Sequence, residues 1–186
     1  MMQEQHQSEE QLRCLNNNLL NTMLYQLRIE GDGRRRFTYV SEGARTLHGC
    51  SPEQAMADSA RIYGSVFEED RQRLHDEEEV AMASLATFET ELRMQGLAGQ
   101  VRWAQLVSRS RRLEDGAVLW DGIEIDITER KAAQQSLEES EEQYRRLFEM
   151  ESDAILLVDR ETGQFIDANP SALTLYGYSR QGLIDP

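Results

Sequence analysis

The chain reads as an α+β domain built on a mostly antiparallel sheet, followed by a helix and the opening of a second, similar module. Three observations predict this. Short β-prone runs lie at both ends of the first 127 residues, with helical character gathered between them over residues 41–85. Such segregation of strands from helices marks α+β rather than alternating α/β architecture. The third observation is a self-similarity that returns after 128 residues.

The elements follow in order. Residues 1–22 predict an N-terminal amphipathic helix, because Leu12, Leu15 and Leu19 share one face at helical spacing. From Met23 the period changes. Leu24 to Glu30 and Phe37 to Val40 are extended runs joined by the turn-forming Gly31-Asp32-Gly33, which predicts a hairpin. Helical pieces broken at Gly49, Pro52 and Gly64 come next, then a longer helix from about Glu68 to Leu85. Phe88, Thr90, Leu92 and Met94 alternate with polar residues, as in a half-buried strand. By the same rule Val101, Trp103, Gln105 and Val107 mark the inner face of the next strand, and Leu119, Ile123, Ile125 and Ile127 that of the last. A helical linker over residues 128–146 carries Ala133, Leu137 and Tyr144, with Leu147 just beyond, at spacings of a short coiled coil.

Composition narrows the function classes. A net charge of −14 opposes binding to nucleic-acid phosphates, and the arginine clusters at 34–36 and 109–112 are too short to reverse it. The longest apolar runs fall well short of the roughly 18 residues a membrane span requires, so no membrane contact by this fragment is expected. The polar N-terminus lacks an export signal, and the two cysteines, Cys14 and Cys50, form neither a disulfide framework nor a zinc site. A cytoplasmic protein is expected. No phosphate loop, nucleophile elbow or metal-binding histidine pair occurs, so the segment is expected not to be an enzyme.

Shifting the chain by 128 residues aligns Phe37 with Phe165, Ala44 with Ala172, Thr46 with Thr174, Leu47 with Leu175, Gly49 with Gly177 and Ser51 with Ser179. The second copy, from Leu147-Phe148 through Ile155-Leu156-Leu157-Val158-Asp159 to Asn169-Pro170 and Tyr176-Gly177-Tyr178-Ser179, resembles the start of a PAS domain. The first copy resembles PAS domains of bacterial sensor proteins at its end, Asp126-Ile127-Thr128-Glu129-Arg130-Lys131. The resemblance implies a PAS fold, a five-stranded antiparallel sheet with helices on one face, spanning residues 23–127 and flanked by the two linker helices. Residues 147–186 are expected to be the truncated start of a second PAS domain.

It also implies a sensory module whose core holds a cofactor, a metabolite or nothing, and which relays conformational change through the linker to an output kinase or cyclase domain in the same parent chain. Pocket candidates are Tyr39, Phe88, Leu92, Trp103, Gln105, Ile123 and Ile125, with Gln105 the polar exception that needs a partner if buried. Asp126 and Thr128 are the signal-relay candidates, since either side chain can bond backbone amides of the emerging helix. A homodimer is expected through Leu12, Leu15, Leu19, Ala133, Leu137, Tyr144 and Leu147. Two other readings stay open. One is a ligand-free interaction scaffold. The other is a haem-based gas sensor with His75 as axial ligand, against which stands a plain surface histidine in an acidic run. A reactive flavin cysteine is missing from Asp58 to Tyr63, and His6 and His48 are assigned no ligand role.

Overall fold

The computed structural model describes residues 21–184. The N-terminal helix expected over residues 1–22, with Leu12, Leu15 and Leu19, lies almost wholly outside the described residues. Two compact units adjoin in sequence at Lys131 and Ala132.

The first unit is an α+β domain. Strands β1 (Thr22–Ile29) and β2 (Arg35–Val40) form the predicted hairpin. Helices α1 (Gly43–His48), α2 (Pro52–Ala57), α3 (Ala60–Tyr63) and α4 (Glu68–Ser84) follow. Strands β3 (Thr87–Gln95), β4 (Val101–Arg112) and β5 (Val118–Asp126) complete a five-stranded antiparallel sheet in the order β2-β1-β5-β4-β3. The first and last strands of this unit, β1 and β5, are thus neighbours in the sheet. Ala44, Leu47, Ala55, Ile62, Leu74 and Ala81 from the helices form one core with Met23, Leu27, Phe88, Leu92, Ala104 and Trp120 from the sheet.

Local chemistry sets the helix ends. Ser51 caps α2 in a reciprocal capping box with Gln54, with Pro52 at the first turn. Gly49 ends α1 in the left-handed region, φ 66°, where an L side chain is strained. The start of α1 is set by contact: a Cβ on Gly43 would sit 1.9 Å from the Thr22 carbonyl oxygen of β1.

The register reverses the face assigned to β4 and β5. Leu92 opposes Ala104, Ser108 opposes Gly122 and Ser110 opposes Trp120, so the inner face of β4 is Arg102, Ala104, Leu106, Ser108 and Ser110. That of β5 is Val118, Trp120, Gly122 and Glu124. Trp103, Gln105, Ile123 and Ile125 are therefore corrected to the opposite face of the sheet, away from the helices, each half-buried. Gln105 there donates to Glu89 across the β3–β4 ladder at 2.7 Å. The physical reason is that charged and hydroxyl side chains occupy the inner positions, so apolar alternation points the wrong way.

The second unit contains most of α5 (Thr128–Met150), the hairpin β6 (Leu156–Val158) and β7 (Phe165–Ala168), and helices α6 (Pro170–Tyr176) and α7 (Arg180–Ile184). It repeats the first in its hydrogen bonds. Ser41 of the first copy exchanges bonds with Leu24, its hydroxyl accepting the Leu24 amide. Asn169 does the same with Ile155 and also caps α6 through the Ala172 amide. Gly177 ends α6 at φ 75°, as Gly49 ends α1. The Ser179 hydroxyl accepts the Gly182 amide as Ser51 accepts that of Gln54.

Gly43→Ala should destabilise the first unit by about 1–3 kcal/mol, the usual cost of forcing an added carbon into a packed contact. Urea unfolding measures it. Unchanged stability would show that β1 and α1 separate freely.

Candidate functional site

The inner face of β4 and β5 carries a chain of polar groups leading from the domain interior to the linker helix. Glu124, 1% exposed, lies at its centre. His48, at the end of α1, places Nε2 3.1 and 3.0 Å from the two Glu124 oxygens. Arg102 donates through Nη2 to Glu124 Oε1 at 2.6 Å. Burial alone would raise the Glu124 carboxyl, but the opposing charges and hydrogen bonds of His48 and Arg102 outweigh it and hold the group below its ordinary value.

The chain continues to the junction. Arg102 Nη1 lies 3.8 Å from Asp126 Oδ2. Asp126 Oδ1 accepts the Thr128 amide at 2.9 Å and the Thr128 hydroxyl at 2.5 Å. The same hydroxyl accepts the Trp103 amide at 3.0 Å. The two relay candidates thus bond each other and tie the last strand, the first turn of α5 and β4 together. Glu91 of β3 reinforces the attachment by pairing with Arg130 at 2.6 Å and Lys131 at 2.5 Å.

Further along the inner face, Ser110 Oγ and Trp120 Nε1 are buried without a hydrogen-bond partner among the described residues, and the Ser108 hydroxyl lies beside the Tyr25 phenol. Register places Ser110 opposite Trp120, whose ring meets Phe88 edge-on at a centroid distance of 5.3 Å. The Tyr25 phenol is enclosed nearby: burial drives it far above its ordinary value, Tyr63 adds to this, and the neighbouring Ser108 hydroxyl opposes it. Its ring covers Gly122, where a Cβ would come within 2.4 Å.

A second cluster joins Arg35, Glu78 and Tyr63. Arg35 pairs with the buried Glu78 carboxylate and lies 5.8 Å from the centre of the Tyr63 ring. Burial raises Glu78, with Arg35 opposing.

The sequence-selected residues divide. Phe88 and Leu92 face the core, Phe88 against the Trp120 ring. Tyr39 lies instead in a separate surface pocket of about 270 Å³ with Pro52 and Met56. Trp103 lies on the outer face under the Lys131 ammonium, 5.1 Å from its ring centre. His75 is half exposed, with Nδ1 3.2 Å from Arg35 and Nε2 3.3 Å from Glu79. An axial haem ligand needs a free nitrogen facing an enclosed pocket, and His75 has neither, so no step is assigned to haem. Among the described residues no cluster of His, Cys, Asp and Glu is arranged to hold a metal, and Cys50 is a buried thiol pushed up by desolvation. Ala133, Leu137, Tyr144 and Leu147 are exposed on α5. The residues missed from sequence are His48, Arg102, Ser108, Ser110, Trp120 and Glu124. Their one signal was polar residues recurring every second position beside Ala104 and Gly122.

Comparison with known proteins now adds the family. A model described as "PAS fold" matches residues 37–123, and one described as "PAS domain" matches residues 142–185. The chain belongs to the PAS domain family. Among solved structures, a sensory box histidine kinase/response regulator from Burkholderia thailandensis E264 is 22% identical and covers 75% of this chain and 99% of its own, with a TM-score of 0.55. The N-terminal domain of a diguanylate cyclase with PAS/PAC sensor from Marinobacter aquaeolei is 16% identical, covers 59% and 98%, and has a TM-score of 0.49. A PAS domain from Colwellia psychrerythraea is 20% identical, covers 65% and 98%, and also scores 0.49. Comparison with curated proteins gives no match. Among the described residues no helix is long and apolar enough to cross a membrane.

Glu124→Gln should lower stability at neutral pH by about 3 kcal/mol, because it breaks a buried ion pair from one side. The sign of the pH dependence follows from the depressed carboxyl. Its stabilisation is present above the ordinary value of 4.5 and is lost as pH falls through the lower folded value. The variant should therefore lose less stability than the parent between neutrality and pH values below 4.5. Equal acid sensitivity in urea titrations would remove Glu124 from this role. Glu78, raised by burial, contributes with the opposite sign, its share being lost as pH rises through its folded value.

Proposed function

We propose that the chain is a sensory, non-enzymatic PAS module that takes up a small molecule in the core of its first domain and passes the change to α5. The carrying observation is the pair of buried atoms with no partner among the described residues, Ser110 Oγ and Trp120 Nε1, on the face that also bears Glu124, Arg102, Asp126 and Thr128. Buried polar groups without partners are uncommon and costly, so a polar occupant relieves them. Replacing or moving that occupant shifts β4 and β5, and Asp126 with Thr128 transmits the shift to the helix. The output domain belongs, in this reading, to a longer parent chain, of kinase or cyclase type. The related Burkholderia structure, described as a sensory box histidine kinase/response regulator, supports the kinase form.

A second copy of the chain is the partner this reading adds. Leu137, Tyr144 and Leu147 are 60%, 54% and 64% exposed at coiled-coil spacing on α5. The same observation favours the competing reading, a scaffold that dimerises and holds no ligand.

Native mass spectrometry of freshly purified protein separates the two. The sensory reading expects a bound small molecule that Ser110→Val and Trp120→Phe release, and a bare mass throughout would leave the scaffold. Leu137→Asp should dissociate the dimer in sedimentation while the far-UV spectrum stays that of a folded domain. Raising salt should preserve or strengthen the wild-type dimer, since it screens the repulsion of the acidic linkers and leaves apolar burial intact. A wild type that sediments as a monomer at tens of micromolar, or a mutant that dimerises equally well, would remove α5 from the interface.

A further inference from the structure

A separate pocket of about 250 Å³ opens where the sheet meets the linker helix, bounded by Asn21, Gln100, Arg102, Asp126, Thr128 and Glu129. Its wall contains an unusual group. Arg102 is 5% exposed, and among the described residues its guanidinium is engaged through Nη2, with Glu124 and the Met94 sulfur. Nε and Nη1 are buried with no acceptor among the described residues. Nη1 faces Asp126 Oδ2 across a gap of 3.8 Å, too long for a hydrogen bond.

Asp126 is poorly placed to close that gap. Its other oxygen is held by the Thr128 amide and hydroxyl, and its own amide is held by the Asn21 carbonyl at 2.8 Å. Swinging the carboxylate toward Arg102 would break the bonds that start α5. The gap is thus kept open by the same contacts that build the junction.

Charge selects the occupant. Arg102 is already matched by Glu124, while Asp126 and Glu129 add two carboxylates around the opening. A simple anion would meet net negative charge. A simple cation would leave the Arg102 N–H groups unmade. A zwitterion meets both, with its negative end toward Arg102 and the positive end of the α5 dipole, and its positive end toward Asp126 and Glu129. The volume corresponds to roughly eight waters at about 30 Å³ each, the scale of a small metabolite.

We propose that this pocket binds a free α-amino acid, its carboxylate accepting from Arg102 Nη1 and its ammonium facing Asp126 Oδ2 and Glu129. The site is distinct from the core of the first domain and acts on the first turn of α5 directly. A bound amino acid bridges Arg102 to Asp126 and so couples the Glu124 network to the linker.

The test uses the full chain, labelled with ¹⁵N and dialysed free of small molecules, titrated with L-alanine and L-glutamine and, as half-ligands, propionate and ethylamine. The amino acids should shift the amides of Asn21, Arg102, Thr128 and Glu129 with saturation in the millimolar range or below. Each half-ligand should bind at least about tenfold more weakly, or about 1.4 kcal/mol. Arg102→Gln should abolish the shifts. Because that change strands a buried carboxylate and threatens the fold, Glu129→Gln on the exposed rim is the second variant, expected to weaken binding several-fold while leaving the spectrum otherwise unchanged. Propionate binding as well as alanine, or full affinity in Glu129→Gln, would overturn the proposal. So would silence at these four amides, including a result in which shifts gather at the Trp120 indole and Ser108, which would place the ligand in the core instead.

Discussion

The burial of Glu124 is the constraint around which the first domain is arranged. A carboxylate removed from water costs several kcal/mol, and it persists here only because His48 and Arg102 supply opposing charge and hydrogen-bond donors. Those partners come from the end of α1 and from β4, while Glu124 itself is on β5. One carboxylate therefore fixes the helical layer against two central strands at a single point. An apolar triad of the same volume would stabilise the core as well or better, but it would not demand this register. A one-residue slip of β4 against β5 would turn Trp103 inward in place of Arg102, and hydrophobicity alone would favour the slip. The ion pair penalises it.

That competition explains what could and could not be read from residues alone. Element order, the β1–β2 turn, the break at Gly49 and the Asp126-Ile127-Thr128 junction are set by local chemistry: φ-permissive glycines, capping hydroxyls and a short carboxylate ahead of a helix. Local signals survive in sequence because each needs only its neighbours. The repeat was legible for the same reason, since Ser41 and Asn169, Gly49 and Gly177, and Ser51 and Ser179 each perform one local bond. The inner face of β4 was not. Val101, Trp103 and Val107 present the more apolar side, and only knowledge that His48 waits opposite Glu124, 76 residues away, assigns the polar side to the core. Long-range pairing carries no local signature.

The same inversion leaves an unusual outer face. Trp103, Val107, Ile123 and Ile125 are only half-buried there, among Gln105, Glu89 and Asp121. Lys131 covers Trp103 and pairs with Glu91, so the first turn of α5 contributes both charge and cover to that face. The helix is attached to the sheet from two sides, by the Asp126–Thr128–Trp103 bonds at its start and by the Glu91 pairs one turn later.

This attachment has a consequence for α5 as a whole. At 23 residues the helix is about 34 Å long at the usual rise of about 1.5 Å per residue, and helices in proteins draw most of their stability from packing of an apolar face rather than from propensity. Its exposed middle is rich in glutamate, with Gln134–Glu138, Gln135–Glu139 and Glu142–Arg146 pairs that contribute only a few tenths of a kcal/mol apiece. Stability for residues 132–147 must come from the anchored first turn, from cover on the Leu137–Tyr144–Leu147 stripe, or from both. Asp126 holds that first turn through Thr128 and lies 3.8 Å from Arg102 Nη1, so the helix start sits beside the buried ion pair with no hydrogen bond between them. The polar inner face that reverses the apolar alternation of β4 thus ends at the first turn of α5, where Thr128 bonds both Asp126 and Trp103.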